Sequence, residues 1–173
     1  MAVIEAIATT YLEADAASVT FTSIPATYEH LQVRCSTRAT VAAAGSAFEI
    51  EFNGSVGTAY STHAMAGATS SVYGLGLTGE GYWRLFDGTH GTSVVAGEYA
   101  ALIVDVFDYV NSNKNTTAQA LYCDSVTLAG NQRVTFGSGL WDDTAAITQI
   151  KFTPSSGSLV RGSEFTLYGL NSS

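Results

Sequence analysis

Residues 140–170 read LWDDTAAITQIKFTPSSGSLVRGSEFTLYGL. Carboxylates, hydroxyls and aromatics mix here as they do in an active-site loop. The spacing points elsewhere. Ile150 and Phe152 alternate with Lys151 and Thr153, and Phe165 and Leu167 alternate with Glu164, Thr166 and Tyr168. Alternation at period two marks a strand with one apolar face. Residues 154–157 (PSSG) supply a turn, and Gly162 a second bend. The stretch reads as the closing hairpin of a β scaffold. Trp141 is placed to cover one end of the core, its indole N–H needing an acceptor. Asp142 or Asp143 is expected to cap a short helical turn after it.

The same period runs through most of the chain. In AFEIEF, Phe48, Ile50 and Phe52 share a face against Glu49 and Glu51; in HLQVRCSTR, Leu31, Val33 and Cys35 oppose Gln32, Arg34 and Ser36. Val19 and Phe21 begin another strand, and residues 3–12 favour a strand over a helix because Thr9 and Thr10 are β-branched and no cap precedes them. ALIVDVFDYV is apolar at both parities and reads as a central strand covered on both faces. Turn signals recur at Asn53-Gly54, Asp87-Gly88, residues 111–115 and Gly130-Asn131. Many short strands so spaced predict an all-β chain, a single-domain antiparallel β-sandwich of jelly-roll type over residues 1–173. Residues 54–81 break the pattern: they are rich in Gly, Ala, Ser and Thr, and no charge falls between 55 and 79. One or two weak strands within a long loop or arm are expected there.

Composition excludes several function classes. Charged residues are 13% of the chain, about half the usual share, while hydrophobic residues are 46%. The surface is therefore largely hydroxyl and amide, as on proteins covered by neighbours. Seven basic residues against fifteen acidic ones leave a net charge of −8, which disfavours nucleic acid and anionic membranes. No basic segment precedes the first apolar residues, as a secretory signal requires. No stretch reaches the roughly 20 apolar residues of a spanning helix.

Motifs for chemistry are weak. GLGLTG (residues 74–79) matches a glycine-rich nucleotide loop, but Glu80, Gly81, Tyr82 and Trp83 follow it where a helix must start. His30, His63 and His90 have no metal-pair spacing, and Cys35 and Cys123 sit in separate strand-like runs, read as free apolar thiols, with a disulfide the alternative if their strands are neighbours. No nucleophile elbow accompanies the many serines. Asp105, between Val104 and Val106, faces solvent or a subunit. No catalytic residue, metal ligand or cofactor site is expected. The cluster EGYWRLF is different: Tyr82, Trp83, Arg84 and Phe86 have interface character, and isolated Tyr60 and Tyr73 extend it.

Three segments carry a family resemblance. ASVTFTSIPATYEHLQVRCSTR (17–38), EFNGSVGTAYS (51–61) and the segment from Gly139 to the Tyr168-Gly169 pair resemble the opening, middle and terminal signatures of a family of tailed-phage virion structural proteins. The terminal match runs through Trp141, Thr144, Ala146, Ile147, Thr148, Ile150, Gly157, Gly162, Ser163, Phe165 and Leu167. The resemblance implies a virion location after synthesis in the host cytoplasm. It also implies a non-enzymatic role as a capsid decoration or cement protein, a homotrimer packed on the major capsid protein. A tail or fibre component binding host glycan through Tyr82, Trp83 and Arg84 is the alternative. Residues 62–138 carry no such resemblance.

Overall fold

The computed structural model describes residues 3–124 and 132–172, so the expected turn at Gly130-Asn131 lies outside the described residues. Twelve strands appear among them: β1 (Val3–Tyr11), β2 (Val19–Phe21), β3 (His30–Thr37), β4 (Gly45–Phe52), β5 (Tyr60–Ala68), β6 (Val72–Glu80), β7 (Trp83–His90), β8 (Ala100–Phe107), β9 (Thr116–Asp124), β10 (Arg133–Trp141), β11 (Ile150–Pro154) and β12 (Glu164–Asn171). All pair antiparallel, in sheets of order β1-β12-β3-β8-β9-β10-β5-β6 and β2-β11-β4-β7. The expected antiparallel sandwich is what forms.

The strand order contains a complete jelly roll. β1, β12, β3 and β8 form one four-stranded array, and β2, β11, β4 and β7 the array facing it. The chain crosses between them at nearly every step, as two Greek keys require. Hairpins β5–β6 and β9–β10 are additions to this plan, and both extend the large sheet beyond β8.

Period two explains the core. β3 and β4 bury every second residue, so Leu31, Val33, Phe48, Ile50 and Phe52 point between the sheets. Phe165 of β12 lies 5.6 Å from Phe152 of β11 and 6.1 Å from Phe48 of β4 between ring centroids, which joins the sheets through aromatic contacts. Trp141 is buried and stacks on Tyr60 at 6.4 Å. Its indole N–H meets no acceptor among the described residues. Buried Arg38 donates to the carbonyls of Val94, Val95 and Glu98 at 2.7–3.1 Å, holding the loop before β8 against the roll.

Four expectations are corrected. Residues 140–170 close the scaffold but not as a hairpin. β11 lies in the small sheet and β12 in the large one, and the link between them pairs Leu159 with Ala16 and Ala39. Asp143 accepts the Ala145 N–H at 2.8 Å in a local turn, with no helix following. Residues 54–81 hold the strands expected there but no arm, because β5 and β6, nine residues each, fill most of them as a hairpin. Their Gly and Ala content lowered the apolar contrast that reveals strands, while pairing with β10 supplied the stability. Finally, β8 is central but covered on one face only: Ala101 and Ile103 are exposed. No helical layer exists among the described residues to cover them.

Candidate interaction surface

The added strands reverse the usual polarity of a sandwich sheet. Most core-facing positions of β5, β9 and β10 hold small side chains, Ala118 and Ala120 on β9, Thr135, Gly137 and Gly139 on β10, Thr62, Ala64 and Ala66 on β5, beside one buried aromatic on each strand: Tyr122, Trp141 and Tyr60. The reason lies in β7. Trp83 is wholly buried, and a Cβ on Gly139 would stand 2.4 Å from its indole. A larger residue at Gly139 would push the extension off β7.

Large apolar side chains go outward instead. Register places Ile103, Leu121, Phe136 and Met65 in one row across β8, β9, β10 and β5. Leu121 is 51% exposed, Phe136 47% and Met65 60%. The next row runs Ala101, Cys123, Val134, Gly67 and Val72. A depression of about 310 Å³ lies along Ile103, Leu121, Cys123 and Val134. A second, of about 410 Å³, runs over His63, Thr117, Ser138 and Leu140. Contiguous exposed apolar surface of this kind marks a contact site rather than a solvated face.

Chemistry is poorly provided for on this surface. Ser138 and His63 are register partners, but the nearest carboxylate in their row is Asp105, beyond Gln119. Its oxygens accept the side-chain amides of Gln32 at 2.7 Å and Gln119 at 3.3 Å. Burial pushes the Cys35 thiol well above its ordinary range, so it stays protonated and inert. Among the described residues, no three His, Cys, Asp or Glu side chains group as a metal site.

The six residues expected at an interface divide. Trp83 and Tyr60 are core residues, and that part of the expectation is corrected. Tyr60 accepts the Phe52 N–H at 2.8 Å, and burial pushes its phenol up to about 12. Tyr82, Arg84, Phe86 and Tyr73 are half-buried. The Arg84 guanidinium lies 5.0 Å over the Tyr82 ring and pairs with Glu49 at 3.2 Å. Arg133 donates to the Tyr73 hydroxyl and to Asp87 at 2.9 and 2.7 Å. The outward row was missed because Leu121, Val134 and Phe136 sit in strands whose facing could not be told from sequence. The available signal was ALYC and VTFG, where Leu121 and Phe136 stand beside Ala120 and Gly137.

The three segments of the resemblance meet in space. The Tyr28 ring covers Gly169, where a Cβ would stand 2.3 Å away. The Arg38 N–H donates to Ser163 Oγ at 3.2 Å. Asn53 accepts the N–H groups of Thr148 and Gln149 and donates to the Ala146 carbonyl. Each contact joins one matched segment to another within the jelly roll.

No family model matches the sequence, and no curated protein matches it. One solved structure, a crystal structure of scytalido-glutamic peptidase with a transition state analog inhibitor, aligns over 91% of this chain at 11% identity and a TM-score of 0.25. The aligned part spans 66% of that peptidase chain. A likeness this slight carries no conclusion about fold or activity.

Proposed function

We propose that this chain is a non-enzymatic structural protein of a tailed-phage virion, a capsid decoration or cement protein that packs on the shell as a homotrimer. The observation that carries the reading is the outward apolar face of the added strands. It offers binding area without convergent catalytic groups. The family resemblance supports it: the matched residues are spent on holding the roll together, while the unmatched residues 62–138 supply most of the added strands as well as β7 and β8 of the roll. A jelly roll alone chooses no function, since lectins and enzymes share it. Repeated copies on a shell turn weak apolar contacts into firm attachment. The glycan-binding tail reading has less support, because Trp83 is buried and Arg84 is held by Glu49 and Tyr82.

Immunogold electron microscopy of purified virions tests the proposal. Regular label over heads is the expected result. Label confined to tails would favour the fibre reading, and no label on virions with accessible epitopes would sink both.

A further inference from the structure

A sandwich of two open sheets has four edge strands, and exposed edges invite pairing with other chains unless something blocks them. Three of the four are blocked here. β2 has three residues. β7 is met by β5, whose buried Thr62 hydroxyl accepts the Arg84 N–H at 3.2 Å. β1 carries Glu5 and is bulged between Ala6 and Ala8, so its ladder is broken near its middle.

From Val72 to Thr78, β6 has none of these defences. It pairs with β5 alone among the described strands, and its register is unbroken from Val72 to Thr78. Its one irregularity lies at the far end, where Gly79 adopts a positive φ of 71° before Glu80. No Lys, Arg, Asp, Glu or Pro lies between residues 55 and 79. Val72 is 73% exposed, and Tyr73, Leu75 and Leu77 share the opposite side of the strand, half-buried.

We infer that β6 pairs antiparallel with β6 of a second copy of this chain about a twofold axis, joining two large sheets into one. Three observations favour a second copy over a foreign strand. The chain carries a net charge of −8, so two copies repel each other least where they meet across an uncharged edge. An antiparallel self-pair sets Tyr73, Leu75 and Leu77 beside the same residues of its partner on one face, a favourable cross-strand arrangement. The outward row of Ile103, Leu121, Phe136 and Met65 ends at Gly74, so pairing at this edge makes the apolar faces of two copies continuous. An isologous contact of this kind closes on itself and does not polymerise. It does not depend on the virion reading. Combined with a threefold contact, it doubles a trimer to a hexamer.

Light scattering on the purified chain tests it. The wild type is expected at an even multiple of the chain mass. Gly74→Lys places a charge at the centre of the edge, where a Cβ meets nothing closer than the Ala64 carbonyl at 3.9 Å. It should halve that mass with the melting temperature little changed, while Gly74→Ala leaves it intact. Val72→Lys, at an exposed position, is the second variant. A wild-type mass of one or three chains, or an even multiple that neither lysine variant lowers, overturns the inference. Virion labelling addresses the proposed function separately.

Discussion

The eight strands of the jelly roll and three of the added strands, β5, β9 and β10, follow different rules. In the roll, large apolar residues point inward and charges outward: Arg84 pairs with Glu49, and Lys151 with Glu51, on the outer side of the small sheet. On the large sheet, Arg34 lies 5.2 Å over the Tyr168 ring and donates to Gln32. Across β9, β10 and β5 the inner residues are mostly small and the outer ones large. The roll is finished as a solvated object, whereas the added strands leave apolar area open to water. Hydrophobic area left exposed at this density is stabilised only when something covers it. The difference separates strands that close the core from strands that leave apolar area uncovered.

Four measurements would break or sharpen that comparison. The largest effect belongs to Phe165→Ala. Phe165 is wholly buried between the sheets, so its loss should cost about 3–5 kcal/mol in urea denaturation or prevent soluble folding. Phe136→Ala on the outer face should cost well under that, within ~1 kcal/mol. Equal losses would mean that the outer face is packed after all.

The joint between the two regions comes next. Gly139→Ala drives a methyl into the Trp83 indole and should destabilise by about 1–3 kcal/mol, with a shift in tryptophan fluorescence. Gly137→Ala, two positions away on the same strand, meets only ordinary contacts at 3.7–4.0 Å. It should be neutral, or stabilising by up to ~1 kcal/mol through the unfolded chain. If both behave alike, the close approach at Trp83 does not limit residue size in the extension.

A smaller effect is expected when Leu121 and Phe136 are both replaced by Ser. The melting temperature should hold, but under the proposed decoration role re-attachment to virion heads stripped of this protein should weaken about tenfold or more, equivalent to ~1.4 kcal/mol. Undiminished attachment would place the shell contact elsewhere.

The smallest effect is a pH response confined to the roll. Glu29 accepts both the N–H and the hydroxyl of Ser172, at 2.8 and 2.7 Å, and these bonds hold its carboxyl below the ordinary value of 4.5. A lowered folded pKa contributes stability above the unfolded value and loses it as pH falls through the folded one. Hydrogen-exchange protection at Ser172 should therefore drop in acid below about pH 4.5. Residues 55–79 of the β5–β6 region hold no carboxylate to titrate, so their protection should stay constant across that window. Parallel loss in both would show general acid unfolding instead.

Much of this molecule was legible before folding. Alternation in AFEIEF, HLQVRCSTR and ITQIKF placed Phe48, Ile50, Leu31, Val33, Ile150 and Phe152 inside, because a strand must turn successive side chains to opposite faces. The strand reading of residues 3–12 was right for a similarly local reason, the stiffness of β-branched threonines. The added hairpins were harder to read. Tyr60 and Trp83 looked like contact residues, yet tertiary packing drew both into the core. Leu121, Phe136 and Met65 went outward, while Trp83 of β7 fills the space beneath Gly139.

Sequence by itself determined that the chain forms antiparallel strands around an apolar core, since that depends on neighbours one and two residues away. Only the tertiary structure decided that β11 and β12 enter different sheets, that residues 54–81 become an edge hairpin, and which face of β8, β9 and β10 is left uncovered. Those outcomes depend on which strands end up beside one another and on what fills the space between sheets, and these are contacts between residues far apart in the chain.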